Sequence, residues 1–386
     1  MSGFAASTPS PTTMRYLLTN CTLYTGHTVS PNYAVLIDNE LIAAVLPAAE
    51  APADLPRHDL NGANLCPGFV DLQLYGGGSI LFSVEPTAAA LADLRAHTLR
   101  HGTTSFLPTM PTNAPVLMQA AIAAVRAALP GTPGLLGLHL EGPYLNPTKK
   151  GAHRAEFIQR PEPGPLTELL AAGAGVLRIM TLAPEMAAPG TLAQLRAAGV
   201  VCSAGHSDAT FAQGQAAFRD GFAAATHLFN AMSGLLHRAP GLVGAIFDDV
   251  AVAASVVADG VHVDYAAIRI AHKIMGERLF LITDAVNEST QGAYQFRRQN
   301  DHFVDANGTL AGSGLTLMTA VRNCVRHVGI ALPEALRMAS LYPARVLGLA
   351  DHLGLIEPGY RADLCAFDHE FNVQATVLHG ALHRWV

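Results

Sequence analysis

Three residues of types that bind zinc each stand at or near the end of an apolar, strand-like run: Glu141, His206 and His227. Each is followed by a loop that contains Gly, Ser or Asn. One carboxylate and two imidazoles form a common ligand set of catalytic zinc, with a fourth position left open for water. The pattern therefore predicts a metal-dependent hydrolase.

A fourth residue, Asp284, follows the apolar run 279–282 and could act as a general base on a water that the metal activates. A bound metal lowers the pKa of its water from about 15.7 towards about 7. A carboxylate of ordinary pKa at Asp284 could then accept the proton, provided that it is correctly positioned. The alternative for Asp284 is a helix N-cap, where aspartate is also favoured.

Further polar residues lie in loops after other strand-like runs and could contact a substrate. Arg238 and His262, with backbone N–H groups around Asn230 and Ala231, could hold an anionic group through charge-assisted hydrogen bonds. His153, twelve residues after Glu141, could polarise a carbonyl or bind a hydroxyl. Taken alone, Arg238 or His262 is better explained as a solvated loop residue than as a substrate contact.

The chain has 17 histidines, and most of them must serve in the core or on the surface. No single histidine is therefore a strong candidate for a metal ligand. What distinguishes Glu141, His206 and His227 is their joint placement after strand-like runs three, five and six. Such positions converge if the strands form one parallel sheet.

Eight strand-like runs alternate with helical patterns through the central part of the chain, as a parallel sheet with crossover helices requires. The predicted strands are 68–74, 103–107, 135–140, 177–182, 200–204, 223–226, 252–257 and 279–282. Helices are predicted at 88–100, 116–128, 212–219, 265–275, 316–328 and 333–338. Eight such units predict an α/β fold, a closed (β/α)₈ barrel, whose active site lies at the carboxyl ends of the strands.

Both ends of the chain carry short β-like runs without intervening helices. We predict that 14–64 and 352–386 pair into one small β-sandwich domain beside a catalytic barrel formed by 65–351. Residues 1–13, rich in Ser, Thr and Pro, have neither the basic start nor the apolar stretch of a signal peptide. They are expected to form a flexible tail.

Composition excludes several classes of function. The net charge of −6 and the absence of a Lys/Arg stripe argue against a nucleic acid partner. The most apolar stretch, 250–258, is shorter than the roughly 20 residues that span a bilayer, so no membrane association is expected. Five scattered cysteines without a Cys-x-x-Cys pair indicate a reducing cytoplasm.

Several phrases of the sequence together resemble the N-acetylglucosamine-6-phosphate deacetylases of the amidohydrolase superfamily. They are 67–71 (PGFVD), 139–144 (HLEGPY), 149–153 (KKGAH), 204–207 (AGHS), 226–232 (THLFNAM), 259–262 (DGVH), 283–285 (TDA) and 310–313 (LAGS). The resemblance covers most of the chain. A further pattern in 354–364 is typical only of the wider superfamily.

The resemblance implies that Glu141, His206 and His227 hold a divalent metal and that Asp284 is the catalytic acid and base. It implies a homodimer in which one sugar-phosphate contact often comes from the other subunit. The contacts that it implies are Ala152, His153, Asn230, Ala231, Arg238, His262, Leu310, Ala311 and Gly312.

The end of the first barrel strand departs from a common superfamily pattern. Many members carry His-x-His there to bind a second metal, whereas this chain has Gln73 and Tyr75. A neutral amide and a phenol are poor ligands for divalent metals beside available imidazoles. We therefore expect one metal ion per chain, zinc first, with iron, manganese or cobalt as alternatives.

The resemblance thus implies hydrolysis of the acetamide of N-acetyl-D-glucosamine 6-phosphate to D-glucosamine 6-phosphate and acetate, a step of amino-sugar catabolism. The nearer alternatives are a deacetylase of N-acetylgalactosamine 6-phosphate and another amidohydrolase. A non-catalytic sugar-phosphate binder is less well supported, because a binder has no need of Glu141, His206, His227 and Asp284 together.

Overall fold

The computed structural model describes residues 14–300 and 302–385. The predicted flexible tail, 1–13, lies outside the described residues. The described residues start with four strands that precede the barrel. They are β1 (Arg15–Tyr24), β2 (Val29–Asp38), β3 (Leu41–Pro47) and β4 (Arg57–Pro67).

Eight buried strands then form one parallel sheet in the order of the sequence. They are β5 (Phe69–Leu74), β6 (Thr103–Pro111), β7 (Leu138–Glu141), β8 (Leu177–Leu182), β9 (Val201–Ala204), β10 (Ala224–Ala225), β11 (Ala253–Val256) and β12 (Leu279–Leu281). Every predicted barrel strand is confirmed. Their near-continuous apolar character reflects burial on both faces, as expected where helices cover a parallel sheet.

Within residues 14–300 and 302–385, ten α-helices surround and follow these strands. They are α1 (Ala88–Arg100), α2 (Pro115–Ala128), α3 (Pro163–Gly173), α4 (Thr191–Ala197), α5 (Phe211–Asp220), α6 (Gly241–Asp248), α7 (Tyr265–Met275), α8 (Leu317–Asn323), α9 (Leu332–Ala339) and α10 (Leu341–Val346). Two of the predicted helices, α1 and α7, begin and end where the sequence pattern placed them. The helix predicted at 316–328 is α8 followed by a π-helical turn, Cys324–Val328.

Six further strands follow β12 in the described part of the chain. They are β13 (Arg297–Gln299), β14 (His302–Val304), β15 (Leu310–Ser313), β16 (Leu364–Phe367), β17 (Val373–Leu378) and β18 (Ala381–Arg384). The first three form a small antiparallel sheet that the sequence reading did not predict. The last three join the strands at the start of the chain.

The sheet from the two chain ends has seven strands in the order β18, β17, β16, β4, β1, β2, β3. It curls so that β3 meets the segment before β16, where Ile42 donates its N–H to Tyr360 at 2.9 Å. Central β4 was not predicted, because its first half, 57–62, is polar. The domain limits 14–64 plus 352–386 and 65–351 stay a prediction.

The barrel closes where the segment after β12 meets the end of β5. Asp284 donates its backbone N–H to the Gln73 carbonyl at 2.9 Å, and Tyr75 donates its N–H to the Ala285 carbonyl at 2.8 Å. Asp71 also accepts a hydrogen bond from the Thr283 hydroxyl at 2.6 Å. These contacts fix Asp284 beside the ends of β5 and its neighbours.

None of the helices in residues 14–300 and 302–385 has the length and apolar character needed to cross a membrane.

Candidate active site

The three predicted metal ligands lie at the carboxyl ends of barrel strands. Glu141 is the last residue of β7. His206 lies two residues after the end of β9, and His227 lies two residues after the end of β10. Both histidines have positive φ, +48° and +36°, a region that non-glycine residues seldom occupy. This turn after the strand directs each ring towards the barrel axis.

Glu141, His206 and His227 form one compact, buried cluster. Glu141 Oε1 lies 3.1 Å from His206 Nε2 and 2.9 Å from His227 Nε2, and the two Nε2 atoms are 3.1 Å apart. His206 Nδ1 lies 2.9 Å from the Lys149 carbonyl, which can only accept, so Nδ1 donates this hydrogen bond. Its Nε2 then offers a lone pair, and a group of converging lone pairs fits a bound cation.

The surroundings keep Glu141 ionised. Burial acts to raise the pKa of its carboxyl, but the neighbouring His153 and His206 outweigh burial and hold that pKa well below its usual range. An ionised carboxylate is the form that binds a divalent metal.

Asp284 lies beside this cluster rather than at the start of a helix. The preceding helix, α7, ends at Met275, and among the described residues the next one, α8, begins at Leu317. Asp284 Oδ1 lies 2.9 Å from Gln73 Nε2. Burial, the largest cause, raises the pKa of the Asp284 carboxyl, an environment suited to a group that must take up and release a proton.

Gln73 occupies the space between the two acidic residues. Its Nε2 lies 3.1 Å from Glu141 Oε1 as well as 2.9 Å from Asp284 Oδ1. Tyr75 donates its hydroxyl to the other oxygen, Glu141 Oε2. The amide N–H groups of Gln73 and the hydroxyl of Tyr75 thus face the carboxylates. They lie on the side where proteins with His-x-His bind a second metal.

A cavity of about 220 Å³ opens above these groups. It contains eight of the nine predicted substrate contacts in its wall. They are Ala152, His153, Asn230, Ala231, His262, Leu310, Ala311 and Gly312. The ninth, Arg238, is exposed and does not line this cavity of the chain.

His153 lies against the metal-type cluster. Its Nε2 is 3.0 Å from Glu141 Oε2, and its ring packs edge-on against that of His206 at 4.4 Å between centroids. Burial, followed by the nearby His206, lowers the pKa of His153 to about 4. A neutral imidazole at this point can donate a hydrogen bond without adding a positive charge.

Sequence reasoning missed a second group of cavity residues. They are Ser83, Pro111, Val286, Tyr294 and Phe296. Tyr294 and Phe296 precede β13, in a segment whose polar composition gave no strand or core signal. Their partners come from distant parts of the chain: the Tyr294 hydroxyl donates to the Thr112 carbonyl.

Comparison with known families gives two matches along the chain. Residues 64–382 match the amidohydrolase family, and residues 15–65 match the NagA composite domain.

Comparison with individual proteins covers nearly the whole chain. The N-acetylglucosamine-6-phosphate deacetylase of Haemophilus influenzae is 38% identical over 95% of this chain and 99% of its own length. The N-acetylgalactosamine-6-phosphate deacetylase of Escherichia coli O157:H7 is 36% identical over 90% and 95%. The crystal structure of the N-acetylglucosamine-6-phosphate deacetylase of Pasteurella multocida, 37% identical, superimposes with a TM-score of 0.93 over 96% of this chain and 100% of that one.

Proposed function

The chain belongs to the amidohydrolase family, and we propose that it hydrolyses the acetamide of N-acetyl-D-glucosamine 6-phosphate to D-glucosamine 6-phosphate and acetate. Relatives that carry this activity in their names are similar over nearly the full length of the chain. The reaction is a step of amino-sugar catabolism. We place it in the cytoplasm, because all five cysteines are free and buried.

One observation supports hydrolysis more than any other. The lone pairs of Glu141, His206 and His227 converge at the base of the cavity, and the buried carboxyl of Asp284 lies beside them. A protein that only binds a sugar phosphate would not need a proton carrier next to a metal-type cluster. The arrangement is that of a metal-assisted hydrolase.

The residues of the site have distinct roles in this proposal. Glu141, His206 and His227 would hold a divalent metal, which would supply a Lewis acid for the amide carbonyl and for water. Asp284 accepts the proton of the attacking water and returns it to the departing amine. His153 donates a hydrogen bond to the carbonyl oxygen. Backbone groups of Ala152, Ala231 and 310–312 contact the sugar phosphate.

We propose that each chain binds one metal ion, with zinc as the first candidate for its identity. Iron, manganese and cobalt accept the same ligands, and selection among them depends on geometry and supply. Support for a single ion comes from Gln73, whose amide nitrogen lies within hydrogen-bonding distance of both Glu141 and Asp284. The N–H groups of an amide repel a second cation at that place.

We further propose a homodimer in which Arg238 reaches the phosphate in the partner's site. Arg238 is exposed and lies outside the cavity of its own chain. The residues before it, Leu235 and Leu236, are 54% and 63% exposed. A loop that carries exposed leucines and an arginine suits an interface between two copies of the chain.

A deacetylase of N-acetylgalactosamine 6-phosphate is the second candidate. This candidate is favoured by the similarity to the relative from Escherichia coli O157:H7, which is 36% identical over 90% of this chain. The two sugars differ in the orientation of one hydroxyl, so the active-site metal and proton carrier serve either. Turnover of both phosphorylated sugars under the same conditions separates the two candidates.

The decisive experiment combines metal analysis with an acetate-release assay on purified protein. We expect about one metal ion per chain and release of acetate from N-acetylglucosamine 6-phosphate that a chelator abolishes and zinc restores. The unphosphorylated sugar serves as the control and should react far more slowly. Equal rates on both sugars would contradict an anion site, and two metals per chain would contradict the role of Gln73.

A further inference from the structure

Glu185 lies in the short 3₁₀ turn Pro184–Met186 that follows β8, and it connects the loops on either side. In the barrel sheet, β8 lies between β7 and β9. Glu185 Oε1 accepts hydrogen bonds from Asn146 Nδ2 at 2.8 Å, in the loop after β7, and from the Asp208 N–H at 2.6 Å, in the loop after β9. Its Oε2 accepts the Ser207 hydroxyl at 2.6 Å. One carboxylate thus joins two loops of the candidate active site.

The two loops that Glu185 joins also enclose the predicted metal ligand His206. The His206 carbonyl accepts the backbone N–H of Asn146 at 2.9 Å, and the His206 ring donates from Nδ1 to the Lys149 carbonyl at 2.9 Å. Both contacts depend on how the loop after β7 is placed against the loop after β9. Glu185 fixes this arrangement, because it binds Asn146 in one loop and the two residues after His206 in the other.

The backbone of His206 needs such support. Its φ of +48° lies in the left-handed region, which costs free energy for a residue with a side chain and persists only where the surroundings fix it. Ser207 and Asp208, the next residues along the chain, both donate to Glu185. These hydrogen bonds hold the turn that directs the His206 ring towards the barrel axis.

Glu185 lies outside the site that it supports. It is not among the residues that line the cavity, nor among the three residues whose ligand atoms converge. Its carboxylate can therefore act on His206 only through the residues that it binds. Groups that orient the ligands of a metal site in this way typically change metal affinity by roughly 10–100-fold when they are removed.

We propose that Glu185 is a positioning residue that holds His206 in the geometry of a metal ligand by joining the loops after β7 and β9. The inference rests on the proposed function, because it takes Glu141, His206 and His227 as ligands of a divalent metal. It adds to that function a residue that determines metal affinity without touching the metal or the substrate.

Glu185→Ala removes all three hydrogen bonds, and zinc titration of the metal-free protein against a chelating indicator measures the consequence. We expect the Kd for zinc to rise roughly tenfold or more. Glu185→Gln should bring this Kd back to within about threefold of wild type, because the amide oxygen can accept from Asn146 and Asp208 while the amide nitrogen donates to the Ser207 oxygen. A Kd in Glu185→Ala within about twofold of wild type would overturn the proposal.

Asp208→Asn is the matched control. The Asp208 side chain forms a second link between the same loops, an ion pair with Lys149 at 3.3 Å, but it is 51% exposed. Exposed pairs contribute little, and the Asp208 N–H that donates to Glu185 remains, so the Kd for zinc should stay within about twofold of wild type. A loss as large as that in Glu185→Ala would contradict the specific role of Glu185.

The visible absorption of bound Co²⁺ separates positioning from a general structural role. At saturating Co²⁺ this absorption depends on the geometry of the ligands, so a displaced His206 changes it. We expect an altered spectrum in Glu185→Ala and the wild-type spectrum in Glu185→Gln. A wild-type spectrum in Glu185→Ala, with a lower Tm of the metal-free protein, would show that Glu185 only stabilises the loops and would overturn the proposal.

None of these measurements uses the sugar substrate. Wild-type protein that binds zinc but releases no acetate contradicts the proposed function, and the zinc titration still decides the role of Glu185. Wild-type protein that binds no divalent metal contradicts both. Acetate release by wild type, with equal zinc affinity in wild type and Glu185→Ala, contradicts only the inference about Glu185.

Discussion

Glu141 is the residue on which the candidate site is centred. Its two carboxylate oxygens lie within hydrogen-bonding distance of His153, His206, His227 and Gln73, and Tyr75 donates to it as well. The hydrogen bonds that Gln73 and Tyr75 donate to this buried carboxylate favour its ionised form and fix its position.

Asp284→Asn tests the proton carrier. The amide has nearly the shape of the carboxyl but cannot take up a proton, so turnover should fall by at least about a thousandfold. Metal content should remain at about one ion per chain, because Glu141, His206 and His227 are unchanged. The control is Asp264→Asn, which replaces the exposed N-cap of α7 and should keep wild-type turnover. Retained activity in Asp284→Asn would contradict the assigned role.

Gln73→His tests the number of metal ions. An imidazole at this position offers a lone pair between Glu141 and Asp284, where the amide of Gln73 offers N–H groups. We expect metal analysis to rise from about one ion per chain towards about two in the double variant Gln73→His, Tyr75→His. Substitution of Tyr75 alone should leave the count at one. A wild-type count of two would show that Gln73 does not exclude the second ion.

The barrel strands are linked beneath the site by a chain of buried polar side chains. His139 in β7 contacts the Leu72 carbonyl of β5 through Nδ1 at 2.9 Å and the Thr181 hydroxyl of β8 through Nε2 at 2.8 Å. Thr226, directly after β10, lies 2.6 Å from the hydroxyls of both Thr181 and Ser203 of β9. The Leu72 carbonyl fixes the direction of donation, because His139 must donate to it from Nδ1. Thr181 therefore donates to His139 Nε2, Thr226 donates to Thr181, and Ser203 donates to Thr226.

His139→Leu tests how much this series of hydrogen bonds contributes to stability. The substitution leaves the Leu72 carbonyl and the Thr181 hydroxyl buried without their partner, and each such loss costs about 1–3 kcal/mol. We expect the free energy of unfolding in urea to fall by about 3 kcal/mol. His369→Leu, at an exposed position, makes the same chemical change and should alter stability by less than about 0.5 kcal/mol. Equal effects in the two variants would refute the structural role of the chain.

Asp71, which lies where the barrel closes, is expected to make the free energy of unfolding depend on pH. Burial, the largest cause, raises the pKa of Asp71 to about 7, against 3.8 for an ordinary aspartate. Between these values the folded state holds a proton that the unfolded state has lost, so this carboxyl makes the free energy of unfolding fall as pH rises. Asparagine does not titrate. The stability cost of Asp71→Asn should therefore be smaller at pH 8 than at pH 5 in urea unfolding; a larger cost at pH 8 would contradict the raised pKa.

At the scale of the whole molecule, both ends of the chain meet in one sheet beside the barrel. The central strand β4 pairs with β1 from the start of the chain and with β16 from its end, where Cys66 faces Cys365. β4 runs directly into the barrel, because only Gly68 separates it from β5. The terminal sheet and the first barrel strand are therefore positioned together.

Mixed dimers test whether Arg238 acts across an interface. Arg238→Ala should raise the KM for the phosphorylated sugar strongly, and Asp284→Asn should abolish turnover. If the arginine acts in the partner's site, a mixed dimer of the two variants contains one intact site, and random reassociation restores up to about a quarter of wild-type sites. Each variant reassociated with itself is the control. No recovery in a mixture that forms mixed dimers would contradict an arginine supplied by the partner.

The sequence by itself determined the barrel and the location of its chemistry. Strand and helix signals are local: the limits of α1 and α7 and the existence of all eight barrel strands follow from runs of apolar residues and from their spacing. Once the strands are parallel, their carboxyl ends must meet, and residue types at those ends indicate the chemistry. Glu141, His206, His227 and Asp284 could be placed together for this reason.

Only the tertiary structure decided which groups contact one another around that chemistry. Sequence patterns miss β4 and β13–β15, because these strands are short or polar and are stabilised by distant partners. The link from His139 to Leu72 spans 67 residues, and that from Gln73 to Asp284 spans 211. Such pairs depend on sheet register and barrel closure, which fix atoms within about an ångström. No local pattern carries that information, and the contacts of Glu141 and the exposure of Arg238 both follow from it.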